Sequence, residues 1–103
     1  MLNVFCITGQ VAEKPEISET PGGIKMAKLA INVKRPFANS MGIYEDDRIE
    51  LEVWRGLSET LERVCKTGTW VSAKGRIASR TTKKDGKKYT NYAFVAERVD
   101  VMD

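Results

Sequence analysis

An aromatic ring set among charged side chains is the most informative chemical feature of the sequence. The run of residues 48–54 (RIELEVW) alternates with the two-residue period of a β-strand, which places its three aliphatic residues on one face. Trp54 shares the opposite face with Arg48, Glu50 and Glu52, so it is not an obvious core residue. A second ring, Phe37, lies in the polar stretch 34–39 (KRPFAN). Rings on which bases stack, beside cations that meet phosphates, are typical of surfaces that bind a single nucleic-acid strand.

Positive charge is concentrated in one segment, although the whole chain has a formal net charge of only +3. Residues 74–88 contain one acidic residue, Asp85, against seven cations, which are Lys74, Arg76, Arg80, Lys83, Lys84, Lys87 and Lys88. A basic segment on a weakly acidic body indicates a phosphate-binding surface, whereas an isolated lysine-rich turn is usually just solvated.

Length and composition restrict the class of protein. At 103 residues the chain forms one domain, residues 1–103, with a single core. A hydrophobic content of 42% with 30% charged residues is ordinary for a globular protein. The sequence has no histidine and no evident nucleophile–base pair or carboxylate cluster. We therefore expect no enzyme activity, no catalytic residue, no metal and no cofactor.

Cysteine usage and hydropathy bear on the location of the protein. Cys6 and Cys65 lie far apart in apolar patterns and are expected to be reduced core residues of a cytosolic protein. No apolar stretch approaches the roughly 20 residues of a membrane span, and the first residues lack a signal-peptide pattern. The expectation is a cytoplasmic, nucleoid-associated protein with no membrane partner.

The hydrophobic periodicity predicts several short strands and one helix. The expected strands are 4–11, 26–33 and 48–54, then, after a helix at 57–66, strands at 70–78, 89–95 and a short one at 97–102. Residues 35–47 are the longest irregular segment, and the Asp85-Gly86 pair predicts a tight hairpin turn. A lone helix between the third and fourth strands is typical of the OB-fold. The predicted fold class is therefore an all-β, five-stranded Greek-key barrel with one helix.

A series of short motifs along nearly the whole chain resembles the bacterial single-stranded DNA-binding proteins. In order, they are 3–4 (NV), 7–11 (ITGQV), 14–16 (KPE), 20–23 (TPGG), 29–33 (LAINV), 35–37 (RPF), 53–57 (VWRGL), 66–68 (KTG), 75–77 (GRI) and 95–99 (VAERV). No single motif is diagnostic, but their order and spacing around the lone helix are specific.

The resemblance implies a set of DNA-binding residues. Phe37 and Trp54 fall where the family stacks bases. Contacts with the DNA backbone are expected at Arg55, Arg76, Arg80, Lys83, Lys84, Lys87 and Lys88. Arg35, Arg48 and Tyr89 complete the predicted set. The resemblance also implies a homotetramer, or a dimer, that coats single-stranded DNA during replication, recombination and repair.

A second set of residues is expected to join subunits. Residues 4–11 have apolar side chains on both faces, so one face should meet a second layer or another subunit. Trp70 lies on the outward face of its strand, the face that joins subunits in the family, and large exposed apolar groups mark association surfaces. The predicted oligomer interface is Val4, Cys6, Trp70, Ser72 and Lys74.

The chain also departs from the family pattern. Arg48 and Thr82 occupy positions where the family usually has aromatic residues, and the two glutamates beside Trp54 add negative charge. With stacking worth about 1–3 kcal/mol per base, binding should be weaker unless Tyr89 or Tyr92 substitutes in part. The sequence stops at residue 103 without the family's acidic-tipped tail, so it is interpreted as a short form.

Other functions stay open at this point. The first is an accessory primosome protein of the same fold, which would act mainly through replication or restart proteins as partners. The second is a purely structural subunit in which Trp54 is buried at an interface. An enzyme is the least favoured, because the acidic run 45–47 (EDD) is typical of a solvated loop.

Overall fold

The computed structural model describes residues 1–102, which form six strands and one helix. The elements in chain order are β1 (Phe5–Val11), β2 (Ile17–Glu19), β3 (Lys25–Ala38), β4 (Tyr44–Trp54), α1 (Gly56–Val64), β5 (Trp70–Lys84) and β6 (Lys87–Met102). The expected order of elements is confirmed, with β2 as an added short strand paired to β3.

The strands close into a barrel. Hydrogen-bonded neighbours follow the order β1-β5-β6-β4-β3-β2, and β1 also pairs with β3 through Gln10↔Asn32 and Val11↔Ile31. All pairings are antiparallel except β4–β6, where Leu51 lies opposite Phe94 and Glu52 opposite Val95. Five strands thus surround the core and the helix follows the third of them, β4, so the predicted OB-fold is confirmed.

Alternate residues of the barrel strands fill the core, as the two-residue period requires. Leu29, Ile31, Leu51, Val53 and Val71 are fully buried. The helix contacts β2, β3 and β4 and adds Leu61 to the buried residues, and Cys65, which caps its C-terminal end, is buried as well. The predicted apolar face of the helix is thus correct at these two residues, whereas Val64 is exposed.

Several boundaries differ from the sequence expectation. The segment 35–47 was expected to be irregular, but β3 continues to Ala38 and β4 already begins at Tyr44, which makes a β-hairpin with a short connection. Residues 87–102 form one continuous strand instead of two. The prediction of two buried cysteines is wrong for Cys6, because this residue lies on the outward face of β1 and is exposed.

The β5–β6 hairpin is the longest pairing in the sheet, and it has two special backbone features. At its tip, Asp85 and Gly86 have φ values of 52° and 76°, the conformation of a two-residue turn that matches strand twist. At its base the register shifts between Lys74 and Gly75. A Cβ added to Gly75 would overlap the carbonyl oxygen of Val95 and lie 2.8 Å from Cε2 of Phe5, so only glycine fits there.

Candidate nucleic-acid interface

Trp54 is the last residue of β4 and lies on the outward face of the sheet. It is half-buried, opposite Met26 of β3, so part of the indole remains open to solvent. The indole nitrogen Nε1 donates a hydrogen bond to Oε1 of Glu52 at 3.2 Å. This hydrogen bond holds one edge of the ring, and the exposed part of the ring is open to a stacking partner.

Glu52 joins Trp54 to Arg80. The guanidinium of Arg80 donates to both carboxylate oxygens of Glu52, with Nη2 at 2.9 Å from Oε1. The Glu52 side chain is only 13% exposed, while that of Arg80 is 50% exposed. The hydrogen bond from Arg80 lowers the pKa of Glu52, and the same contact raises the pKa of Arg80. The two glutamates beside Trp54 were identified from the sequence, but the long-range partner of Glu52 was not.

Phe37 lies on the projecting hairpin formed by the ends of β3 and β4, where its ring is 63% exposed. Arg35, a predicted DNA contact, links the two strands of the same hairpin. Its Nη2 donates to Oδ1 of Asp47 and its Nη1 to Oε2 of Glu45, both at 2.8 Å. The contact with Asp47 raises the pKa of Arg35 and lowers that of the carboxyl group. In the free protein this cation is already neutralised by carboxylates.

The other predicted cations fall into two groups. Arg48, like Arg35 and Arg80, pairs with a carboxylate, that of Glu13. In contrast, six exposed cations have no carboxylate within 4.0 Å among residues 1–102, namely Arg55, Arg76, Lys83, Lys84, Lys87 and Lys88. Phosphate can reach this second group without displacing an internal partner.

Arg55 follows Trp54 directly and caps the helix. Its φ of 57° and ψ of −132° are unusual for a residue other than glycine. The carbonyl oxygen of Arg55 accepts a hydrogen bond from the buried hydroxyl of Ser58 at 2.5 Å, and its N–H donates to the carbonyl of Lys25 at 2.7 Å. The strained turn thereby puts an exposed arginine at the junction between β4 and the helix, directly after Trp54 in the chain.

The β5–β6 hairpin brings Tyr89 to the side of Arg80. Thr82 lies directly opposite Tyr89, and since alternate residues share a face, Arg80, Thr82 and Tyr89 are on the same side of the ribbon. The Tyr89 ring is 48% exposed. Tyr92, which is 70% exposed, lies opposite Ser79 on the other side. Strand parity therefore distinguishes the two tyrosines that the sequence alone left equivalent.

A shallow groove with a volume of about 340 Å³ lies on the outward face of β3 and β4, next to Trp54. Its lining includes Met26, the cross-strand neighbour of Trp54, and the ion pair between Lys28 and Glu50 at 3.4 Å. Glu13 and Glu16 also line it, so the groove is mixed in charge. A DNA phosphate in this groove would meet carboxylates. A bound strand is therefore better placed over the unpaired cations.

The predicted subunit-joining residues lie together on the surface made by β1, β5 and β6, where Arg76 follows Lys74 on the same face of β5. Cys6 is opposite Lys74, and Trp70 is opposite Gln10 on one side and Met102 on the other. Trp70 is 50% exposed and Val4 is 47% exposed, whereas Ser72 is half-buried. The structure thus gathers all five predicted residues into one region, and their role in oligomer formation stays a prediction.

The nine-residue helix is far too short to cross a membrane, and residues 1–102 include no other helix. Within the same residues, no group of three or more Cys, Asp or Glu side chains is arranged to hold a metal ion.

Comparison with known proteins finds relatives that bind single-stranded DNA, as their names state. The family model described as the single-strand binding protein family matches residues 2–102. Single-stranded DNA-binding protein 3 of Listeria innocua is 33% identical over 104 aligned positions, which cover 100% of this chain and 65% of that protein. The single-stranded DNA-binding protein of Oceanobacillus iheyensis is 35% identical, with the same coverage of both chains.

A solved structure has the same fold. It is a deletion mutant of the single-stranded DNA binding protein from Thermus aquaticus, with a TM-score of 0.76 and 23% identity. The match covers 99% of this chain and 51% of that chain. The chain described here spans about 65% of the length of the two curated relatives above. Because the family model matches nearly every residue, the chain belongs to the single-strand binding protein family.

Proposed function

We propose that the protein binds single-stranded DNA without sequence preference. The observation that carries the proposal is the half-buried indole of Trp54, held at Nε1 by Glu52 and followed in the chain by the exposed Arg55. Because one edge of the ring is already fixed, the ring loses little conformational freedom when it stacks on a base. Every base has a π-face on which it can stack. Phe37 and Tyr89, on two different hairpins, supply additional rings.

Cations hold the backbone of the bound strand. The unpaired residues Arg55 and Arg76 and the four lysines of the β5–β6 hairpin neutralise phosphates and release counterions. Affinity should therefore fall with salt at a log–log slope of about −0.7 per phosphate. Duplex DNA is disfavoured because its bases are already stacked on each other and leave the rings unfilled. The protein acts by binding, with no chemical step.

The names of the relatives support the same ligand, since both curated proteins are single-stranded DNA-binding proteins. We further propose that the protein works as a homo-oligomer, a tetramer or a dimer, joined through the surface around Trp70 and Cys6. In the cell it would bind single-stranded DNA that is exposed in the nucleoid during replication, recombination and repair. No observation favours the accessory primosome function over this one.

A fluorescence titration tests the proposal. The chain has two tryptophans, so the Trp70→Phe variant leaves Trp54 as the sole reporter. Adding oligo-dT at two salt concentrations should quench its emission to saturation, more weakly at the higher salt, while a duplex of equal length should cause little change. Unchanged emission, together with unchanged anisotropy of a labelled oligo-dT, would exclude the proposed function.

A further inference from the structure

Glu52 occupies an unusual place on the proposed DNA-binding face. Of its two carboxylate oxygens, Oε1 accepts from both Trp54 and Arg80, and Oε2 accepts a second hydrogen bond from Arg80. The side chain is 13% exposed. Glu50, two residues earlier on the same face, is 53% exposed. Within residues 1–102 its one salt-bridge partner is Lys28. The two glutamates therefore have the same charge but different surroundings.

The contact between Glu52 and Arg80 has the geometry by which arginine recognises phosphate. A guanidinium offers two parallel N–H groups that fit either a carboxylate or a phosphate, and one pair of oxygens excludes another from the same edge. Arg80 thus cannot give this edge to DNA while Glu52 holds it. The lysines of the hairpin tip have no such internal partner among residues 1–102.

We propose that Glu52 is an internal competitor for phosphate that controls how tightly this face binds a single strand. The inference rests on the proposed function. In the free protein Glu52 holds Arg80, and a bound strand has to draw Arg80 away from it. After this exchange Oε1 still accepts the indole N–H, so Trp54 keeps its orientation when Arg80 turns to the phosphate.

Two consequences distinguish this role from a general effect of negative charge. First, removing the charge of Glu52 should leave Arg80 free before the strand arrives, which tightens binding. The number of phosphates neutralised in the complex, and with it the salt slope, should not change. Second, the effect should require Arg80. Removing the charge of Glu50 weakens the repulsion of phosphate by a similar amount but frees only a lysine that lies 3.4 Å away and is itself exposed.

The test compares Glu52→Gln with the matched control Glu50→Gln. Glutamine keeps an oxygen for the indole N–H but gives Arg80 a far weaker partner. We expect Glu52→Gln to bind labelled oligo-dT about three- to tenfold more tightly, with the same log–log salt slope as the wild type because Arg80 meets phosphate in both complexes. Glu50→Gln should tighten binding less and leave the slope unchanged. In an Arg80→Ala background, Glu52→Gln should have no larger effect than Glu50→Gln.

The outcomes separate the inference from the proposed function. Equal effects of the two glutamine variants, or an effect of Glu52→Gln that persists in the Arg80→Ala background, would overturn the competitor role while single-strand binding stands. A wild-type protein that does not bind oligo-dT would remove the proposed function itself. Thermal unfolding of each variant, followed by circular dichroism, verifies that the affinities refer to folded protein.

Discussion

Tyr89 lies directly opposite Thr82 in the β5–β6 hairpin, on the side of the ribbon that carries Arg80. Thr82 is one of the two positions where the sequence lacks an aromatic residue that the family pattern would supply. Side chains that face each other across a strand pair have Cβ atoms about 4.5–5.5 Å apart. The exposed ring of Tyr89 is therefore attached directly across the strand pair from position 82, on the same side of the ribbon.

The first prediction follows from this pair. Tyr89→Ala should weaken oligo-dT binding by about 1–2 kcal/mol because a stacking surface is removed, while Tyr89→Phe should bind like the wild type. Tyr92→Ala is the matched control, since it removes an equally large and even more exposed ring from the opposite side. Equal decreases in affinity at the two tyrosines, measured by anisotropy titration, would show that the side of the ribbon does not matter.

Trp54 gives the second prediction. Trp54→Ala should weaken binding of oligo-dT by about 1–3 kcal/mol without unfolding the domain, because the indole is only half-buried and is not part of the core cluster. Trp54→Phe should restore part of the affinity. The stacking role is wrong if the alanine variant has a native-like circular dichroism spectrum and the affinity of the wild type.

The lysines of the hairpin tip should act through charge alone. Replacing Lys84 and Lys87 by glutamine should make the log–log salt slope shallower by up to about 1.4, since each phosphate that is no longer neutralised accounts for about 0.7. Lys66→Gln, at an exposed position after the helix, is the control and should leave the slope unchanged. Slopes come from binding isotherms at three or more salt concentrations. A slope that does not respond to the double change would place the DNA backbone elsewhere.

Gly75 allows a prediction about stability. Gly75→Ala should lower the free energy of unfolding by about 1–3 kcal/mol or more, because the new methyl group would overlap the backbone of β6 and the ring of Phe5. At Gly22 an added Cβ has only one neighbour, at 3.9 Å, so Gly22→Ala should be close to neutral. Urea unfolding followed by circular dichroism measures both. A Gly75→Ala protein as stable as the wild type would contradict the close approach of the strands.

The lowered pKa of Glu52 predicts a pH dependence. Because the pKa in the folded state lies below the ordinary value of 4.5, the unfolded state binds more protons in acid. The stabilisation is fully present above pH 4.5 and is lost as the pH falls through the lower, folded-state pKa. The melting temperature of the wild type should therefore fall more steeply below pH 4.5 than that of Glu52→Gln. Parallel curves for the two proteins would mean that the Arg80 contact does not stabilise the fold.

Much of the fold is predictable from short-range patterns. The alternation in residues 26–33 and 48–54, the helical spacing of Leu61 and Cys65 and the Asp85-Gly86 turn all concern residues close in sequence, and each is seen in the structure. The hairpin at 35–47 was missed because its strands lack a regular alternation of apolar and polar residues. Pairing of Arg35 with Glu45 and Asp47 stabilises them there, and no hydrophobic period reveals such pairing.

The candidate site was predictable in its parts but not in its connections. Trp54, Phe37 and the basic segment were identified by residue type, and all three are exposed or half-exposed. The division of the arginines into paired and unpaired groups depends on contacts such as Glu52–Arg80 and Glu13–Arg48, which join residues 28 and 35 positions apart. Such contacts depend on the relative placement of different elements, which local sequence does not specify.

The positive φ of Arg55 lowers the stability of the fold but allows a charged side chain at the end of β4. A side-chain-bearing residue in so sparsely populated a conformation costs about 1–3 kcal/mol, most of which glycine would avoid. With arginine there, folding is somewhat less favourable than it could be, and the exposed residue that follows Trp54 carries a positive charge. The junction between strand and helix is therefore a place where a more robust domain would be a poorer ligand-binding one.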